Sequence, residues 1–215
     1  YEVLATKEAC LEALQLLLVQ PEVCFDTETS QLESTEAEIV GLSFAYKKHH
    51  AYYIPFPNNF EEAKALLKLF EPIFLSEQIV KIGQNVKYDL NILKRYGFTL
   101  AGPIFDTMLA HYLIEPDLRH GMDYLSEIYL NYTPVSIEEL IGKKGKNQLS
   151  MRDVSLDKIK EYAAEDADIT LQLKELLAPE VIANNAQSLF QDLELPLIDV
   201  LSDMEIAGIK INEGF

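Results

Sequence analysis

Two carboxylates lie one residue apart in the segment 23–29 (VCFDTET), whose apolar and β-branched residues predict a buried strand. Because side chains alternate across a strand, Asp26 and Glu28 are expected on one face and Thr27 on the other. Two like charges in a poorly hydrated setting repel each other and lose hydration, and no Lys or Arg lies nearby in sequence. A divalent cation is therefore the expected compensating charge.

A third carboxylate interrupts the apolar face of a helix predicted over residues 156–177. Asp166 lies in the apolar stripe of that helix, four residues after Tyr162, so the two side chains share one face. Glu165 and Asp168 point in other directions and are expected to be solvated. The Tyr162 hydroxyl is placed to orient an attacking water, although a core tyrosine with a satisfied hydroxyl is an equally good interpretation.

A fourth carboxylate lies in a helix predicted over residues 84–96, where Asn85 and Asp89 fall in line with the apolar residues. One such acid alone is most often a helix cap or a buried hydrogen-bonding group. Four together favour a shared cation site. The four histidines show no zinc spacing, and oxygen ligands select hard cations. Two Mg²⁺ or Mn²⁺ ions and two-metal phosphoryl chemistry are therefore expected.

The elements that must position these residues alternate in type along the first half of the chain. Helices are predicted over 7–19, 60–75 and 84–96, and strands over 23–29, 39–46, 51–54 and 79–82. The second half is mostly helical, with helices over 107–114, 122–130, 156–177 and 179–206, and Asp106 is expected to be the N-cap of the first of them. This order predicts an α/β fold in which a mixed sheet with an antiparallel hairpin is flanked by helices.

Composition limits the class of protein. The chain of 215 residues is 48% hydrophobic and has a net charge of −17, which argues against indiscriminate binding to phosphate backbones. Cys10 and Cys24 are too few for a disulfide framework, so a cytoplasmic location is expected. No segment predicts a membrane span or a signal peptide. Because the chain begins at Tyr1 rather than Met, it is interpreted as part of something longer.

Three motifs follow one another in a fixed order. They are 25–29 (FDTET), 83–89 (GQNVKYD) and 162–166 (YAAED), and further similarity runs through 105–109 (FDTML) and 142–149 (GKKGKNQL). On these residues the chain resembles the DEDD exonucleases of the tyrosine subgroup. Within them it is similar to the 3′-to-5′ proofreading exonuclease domain of bacterial family A DNA polymerases, of the DNA polymerase I type.

This resemblance implies a ribonuclease H-like fold with a five-stranded mixed sheet. It also implies that the domain hydrolyses 3′-terminal nucleotides from single-stranded or frayed DNA and releases nucleoside monophosphates. By motif, Asp26, Glu28 and Asp166 hold one metal, and Asp26 and Asp89 hold the second. Tyr162 positions the water. All five residues are present here, so activity is expected.

The resemblance further implies contacts to the last nucleotides of the strand. By position they are Leu32, which would wedge against the terminal base, and Gln84, Asn85, Lys87, Tyr88 and Arg119. Ordinary packing, a solvated helix residue and a weak surface ion pair are the plainer interpretations of Leu32, Lys87 and Arg119. Ile137 replaces a Phe of related domains, which leaves base stacking there open. Lys143, Lys144 and Lys146 form a basic loop that is equally well explained as a solvated one.

The segment from Glu194 onward resembles the start of a polymerase domain. The expected organisation is an exonuclease domain over residues 1–192 and the beginning of a truncated polymerase domain over 193–215. The expected partners are the 3′ end of single-stranded DNA and the polymerase domain of the same parent chain. A monomer with no membrane association is expected.

Three alternatives stay open. A 3′-exoribonuclease of the same superfamily would use the same four acids, although the 142–149 segment and the polymerase-like tail disfavour it. A non-catalytic domain that supports a polymerase is disfavoured by the intact acids. An acidic α/β domain without any site would leave four acids on apolar faces unexplained.

Overall fold

The computed structural model describes residues 1–143, 145, 148–211 and 214. Its centre is a sheet with the strand order β1-β4-β3-β2-β5-β6. The strands are β1 (Glu2–Val3), β2 (Glu22–Thr29), β3 (Ile39–Lys47), β4 (His50–Pro55), β5 (Val80–Gly83) and β6 (Ile104–Asp106). Strand β3 pairs antiparallel with β2 and β4, and the other neighbouring strands are parallel. The expected α/β fold with a mixed sheet and an antiparallel hairpin is confirmed.

The sheet has six strands in the described residues, not the five that the family resemblance implied. The two strands that the sequence did not predict are β1 and β6. Strand β1 contains two residues and pairs in parallel with β4, where Glu2 lies opposite Tyr52. The next residue continues the pairing, because the Leu4 amide donates to the Tyr53 carbonyl at 2.8 Å. A two-residue strand is too short to show alternation, so only the tertiary position of the chain start reveals it.

Helices cover both faces of the sheet. They are α1 (Lys7–Leu17), α2 (Phe60–Leu67), α3 (Glu71–Phe74), α4 (Val86–Arg95), α5 (Thr107–Ile114), α6 (Met122–Leu125), α7 (Ile137–Ile141), α8 (Leu156–Ala183), α9 (Gln187–Leu189) and α10 (Leu195–Ala207). Two π-helical turns, Ser126–Leu130 and Phe190–Glu194, extend α6 and connect α9 to α10. No helix within the described part of the chain is long and apolar enough to cross a membrane.

The predicted helix boundary at Pro179 is wrong, because α8 continues through this proline to Ala183. Proline in a helix interior removes one backbone donor and costs about 3 kcal/mol. The cost is offset by packing: Leu173, Leu177 and Val181 recur every four residues and are buried in one apolar cluster. Tertiary contacts therefore carry the helix across a residue that local propensity treats as a stop.

The two faces of β2 pack against different helices. Val23 and Phe25 belong to the large apolar cluster that includes residues of α1 and α4. Cys24, on the opposite face, packs with Ala164 and Ala167 of α8. The alternation predicted from the sequence therefore holds, and it determines which helix meets each carboxylate.

Candidate active site

Asp26 and Glu28 lie on the face of β2 that α8 covers, and α8 supplies Asp166 to the same place. Each of the three carboxylates has an oxygen within 4.8 Å of the others. Glu28 and Asp166 are buried, and Asp26 is partly exposed. The Oε1 atom of Glu28 and the Oδ1 atom of Asp166 are buried without a hydrogen-bond partner among the described residues. Unpartnered buried carboxylate oxygens destabilise the fold, so a bound cation would stabilise this cluster.

Burial shifts the titration of all the carboxyls at this site. Removal from water raises the pKa of Asp26 to about 6. The pKa values of Glu28 and Asp166 rise well above their ordinary range, first because of burial and then because Asp26 and other carboxylates lie nearby. Mutual repulsion and poor hydration thus act together against the charged forms. A divalent cation would reverse both effects.

Asp89 reaches the site from the other side of the sheet. It lies on α4, which packs against the face of β2 that carries Phe25. Its Oδ1 accepts hydrogen bonds from the Thr27 amide at 3.0 Å and the Thr27 hydroxyl at 2.6 Å. Burial and the Asp26 charge raise the pKa of Asp89, and the Thr27 bonds oppose this shift. The structure therefore groups three of the four predicted acids closely and fixes Asp89 beside them through Thr27.

Loss of the Thr27 hydroxyl is expected to loosen Asp89. Thr27→Val keeps the shape and the backbone hydrogen bond, but removes the shorter of the two bonds to Oδ1. Because partners that orient a ligand typically contribute 10–100-fold to metal affinity, Mn²⁺ affinity should fall by about that factor. Thr27→Ser should retain wild-type affinity. Calorimetric Mn²⁺ titration measures both variants, and equal affinity for Thr27→Val and wild type would contradict the prediction.

Tyr162 lies one turn before Asp166 and lines the same cleft. Its burial, with the Asp166, Glu28 and Asp26 carboxylates around it, raises the pKa of its hydroxyl far above the ordinary value. The hydroxyl therefore stays protonated at neutral pH and serves as a hydrogen-bond donor, not as a base.

The carboxylates line an open cleft of about 710 Å³. Four of the six predicted substrate contacts also line it: Leu32, Gln84, Asn85 and Tyr88. Leu32 is 78% exposed at the cleft. The Tyr88 hydroxyl is held at the rim by the Gln31 carbonyl at 2.9 Å.

The other two predicted contacts are engaged elsewhere and are not among the cleft-lining residues. Lys87 forms an ion pair with Glu205 of α10. The guanidinium of Arg119 lies 4.8 Å from the centre of the Tyr124 ring. Both are cations at or near the surface. Glu205 lies 118 residues from Lys87, so no local pattern indicates that partner, whereas Tyr124 lies only five residues after Arg119. Lys144 and Lys146 of the predicted basic loop lie outside the described residues.

The turn before α4 depends on Asp106, which sequence analysis predicted only as the N-cap of α5. Asp106 does cap α5, through the Met108 amide at 2.8 Å. Its other oxygen accepts from the Val86 amide at 2.7 Å, so it also caps α4. Asn85, the residue directly before α4, has a left-handed backbone with φ of 64°. The parallel pairing of β5 with β6 creates this second role, which no local signal indicates.

The expectation that Glu165 and Asp168 are solvated is wrong, since both are buried. Asp168 accepts hydrogen bonds from the Tyr1 hydroxyl at 2.9 Å and the His49 amide at 2.8 Å. Glu165 accepts from the Tyr132 hydroxyl and the Val135 amide. These partners lie far away in sequence, so helical periodicity alone could not place the two acids.

A mixed sheet that presents grouped carboxylates in an open cleft has the arrangement of a metal-dependent nuclease. A family model described as 3′-5′ exonuclease matches residues 1–182, and the chain belongs to this family. The resemblance stated from the three motifs is thereby confirmed. Members of the family are metal-dependent, and the donor set of this cluster fits a hard divalent cation.

A curated relative agrees with this family assignment, and two solved structures agree with the fold. The DNA polymerase I of Pseudomonas aeruginosa is 34% identical over 88% of this chain and 22% of its own length. The chain thus spans about a fifth of that relative. Among solved structures, the POL domain of Pol1 from M. smegmatis has a TM-score of 0.77 and 21% identity, over 99% of this chain and 33% of that one. Escherichia coli RNase D has a TM-score of 0.74 and 19% identity, over 95% of this chain and 51% of that one. Both likenesses show the ribonuclease H-like fold.

Proposed function

We propose that this chain removes nucleotides from the 3′ end of single-stranded or frayed DNA as the proofreading exonuclease domain of a DNA polymerase I, releasing nucleoside monophosphates. The observation that carries the proposal is the Asp26, Glu28 and Asp166 cluster, with its unpartnered oxygens, at the cleft. The relation to DNA polymerase I supports DNA as the substrate.

In this proposal Asp26, Glu28 and Asp166 hold one Mg²⁺ or Mn²⁺, and Asp26 together with Asp89 holds the second. Bound divalent ions would activate the attacking water and stabilise the charge that develops on the phosphate oxygens. The protein's own contribution is to fix the carboxylates: β2 fixes two of them by strand alternation, α8 fixes Asp166, and the Thr27 hydrogen bonds fix Asp89.

Tyr162→Phe is expected to slow 3′-end hydrolysis by about 10–100-fold, the effect of losing one hydrogen bond of about 1.5–3 kcal/mol to a charged or reacting group. The variant loses the hydroxyl that donates this hydrogen bond, but the Phe ring can pack as the Tyr162 ring does. Single-turnover rates on a short DNA strand measure the loss. Mn²⁺ affinity should be unchanged, and a fall in affinity equal to the fall in rate would show that Tyr162 supports the metal ligands instead.

An acidic protein suits a substrate that arrives as a frayed end. With a net charge of −17, the chain has little general attraction for a phosphate backbone. Selectivity for mispaired ends would come from melting of the DNA duplex, because a mispaired terminus unpairs more easily and enters the cleft as a single strand. Leu32, Gln84, Asn85 and Tyr88 line the cleft and are proposed to contact the last nucleotides. Lys87 and Arg119 stay predicted contacts that would need to exchange their present partners.

The proposed context is a longer parent chain. The division into an exonuclease domain over 1–192 and the start of a polymerase domain over 193–215 is part of the proposal, as are a monomeric state, a cytoplasmic location and attachment to the polymerase domain. The curated relative, of which this chain spans about a fifth, supports such a parent. In it, the duplex would be held by the polymerase domain, so weak affinity of this domain for DNA is tolerable.

The second candidate is a 3′-exoribonuclease, favoured by the likeness in fold to RNase D, described as an exoribonuclease involved in structured RNA processing. The test uses 5′-labelled single-stranded DNA and RNA of one sequence, with Mg²⁺, Mn²⁺ or chelator. A metal-dependent ladder that shortens from the 3′ end of DNA is expected. Preference for RNA would support the second candidate, and no cleavage of either would leave a supporting domain without catalysis.

A further inference from the structure

Glu165 is a buried acid directly beside the metal-ligand candidate Asp166, and it is not among the residues that line the cleft. Only 6% of it is exposed. One oxygen accepts a hydrogen bond from the Tyr132 hydroxyl, and the other accepts from the Val135 amide at 2.8 Å. A buried carboxylate is costly unless it is satisfied, and here a single short segment satisfies both oxygens.

That segment leads directly into one side of the cleft. Helix α7 begins two residues after Val135, and Ile137, Glu138 and Ile141 of this helix line the cleft. Lining residues continue through the following stretch to Met151. We call the described part of residues 137–151 the cleft wall. Two of its apolar side chains are incompletely buried, since Ile137 is 40% exposed and Leu149 is 52% exposed, whereas Ile141 and Met151 are buried.

The cleft wall is fixed at both ends by charged side chains. At its far end the Arg152 guanidinium donates to the Ile39 carbonyl at 2.8 Å, which attaches the wall to β3. At its near end Glu165 is the attachment, on the same turn of α8 as Asp166. The helix backbone is rigid over one residue, so the position of the near end is set relative to a carboxylate of the cluster.

We propose that Glu165 is a positioning residue that holds the cleft wall at the distance from the carboxylate cluster that the 3′-terminal strand requires. This inference rests on the proposed function. Glu165 does not touch the reacting atoms, so its loss should weaken the binding of a strand and leave the chemistry almost intact.

Two variants test the hydrogen bonds between Glu165 and the segment that precedes α7, one by changing the acceptor and one by removing a donor. Glu165→Gln keeps the size but offers one acceptor oxygen to two donors, and Tyr132→Phe removes one donor. Each should raise KM for a short DNA strand about tenfold, as expected for the loss of one hydrogen bond to a charged group. The kcat should stay within about threefold of wild type, since the reacting groups are untouched, and Mn²⁺ affinity should be unchanged. The double variant should add little to either change, because both remove one coupled contact.

Hydrogen exchange gives a readout that needs no catalysis. In both variants the amides of Val135 and of 137–141 should exchange faster, while amides of β2 and α8 keep their wild-type rates. The matched control is Glu161→Gln, which removes an exposed acid on the same helix and should behave as wild type.

Each other result overturns the inference. Unchanged KM would remove the role in substrate binding, and an equal fall in kcat or in Mn²⁺ affinity would show that Glu165 acts on the cluster. Faster exchange throughout β2 and α8 would make Glu165 a general stabiliser. If the wild-type protein cleaves no DNA, the proposed function fails, and the exchange rates still decide whether Glu165 anchors the cleft wall.

Discussion

Asp26→Asn is expected to lower the rate of metal-dependent hydrolysis at a DNA 3′ end by about 10³–10⁴-fold. In the proposed arrangement Asp26 binds both cations, and it belongs to the close cluster with Glu28 and Asp166. Bound metal ions typically supply several kcal/mol of charge stabilisation in the transition state, and about 4–6 kcal/mol corresponds to that factor. Single-turnover cleavage of a 5′-labelled strand in saturating Mg²⁺ or Mn²⁺ measures it.

The matched control for this loss is Glu12→Gln, which removes an exposed acid on α1. It should cleave at the wild-type rate. A folded Asp26→Asn protein that retains more than about a tenth of wild-type activity would argue against two-metal catalysis at this cluster, because the remaining carboxylates should not suffice for both ions.

The metal-free protein is expected to lose stability as pH rises from 4 to 8, and divalent cations should restore it. The pKa of Asp26 is raised from 3.8 to about 6, so between these values the unfolded chain ionises while the folded site resists. Folding therefore weakens with increasing pH, by at most about 3 kcal/mol from Asp26 alone. Glu28, Asp89 and Asp166, whose pKa values are also raised, extend the loss to higher pH.

Thermal unfolding in chelator at pH 5, 6.5 and 8, with and without Mn²⁺, measures this effect. Between pH 5 and 8 the raised pKa of Asp26 accounts for about 1.4 kcal/mol of this loss, which for a chain of this size corresponds to roughly 3–6 °C in Tm. Asp26→Asn should unfold at a higher temperature than wild type in chelator at pH 8, and should gain less from Mn²⁺. Glu12→Gln should follow wild type. A metal-free Tm that is constant from pH 5 to 8 would contradict the prediction.

The two predictions have opposite signs at Asp26, because Asp26→Asn should lower the rate of hydrolysis and raise the stability of the metal-free protein. The carboxylate that contributes most to the proposed chemistry also destabilises the metal-free fold. Active sites commonly combine low stability with function, because like charges that bind a ligand are held close together in a poorly hydrated site.

The sequence determined the features that depend on local repetition. Strand alternation put Asp26 and Glu28 on one face, helical spacing put Tyr162 and Asp166 together, and the cap at Asp106 was readable from its position before α5. The order and spacing of the motifs also determined the family. These features follow from backbone geometry over a few residues, which a sequence displays directly.

Only the tertiary structure decided which neighbour each residue meets. It placed Asp89 on the opposite face of the sheet and tied it to Thr27, 62 residues away. It buried Glu165 against the segment that precedes α7, and it gave Lys87 a partner in α10. Burial and pairing depend on elements that are distant along the chain. Their positions are set by packing and strand pairing over the whole domain, which no local pattern records.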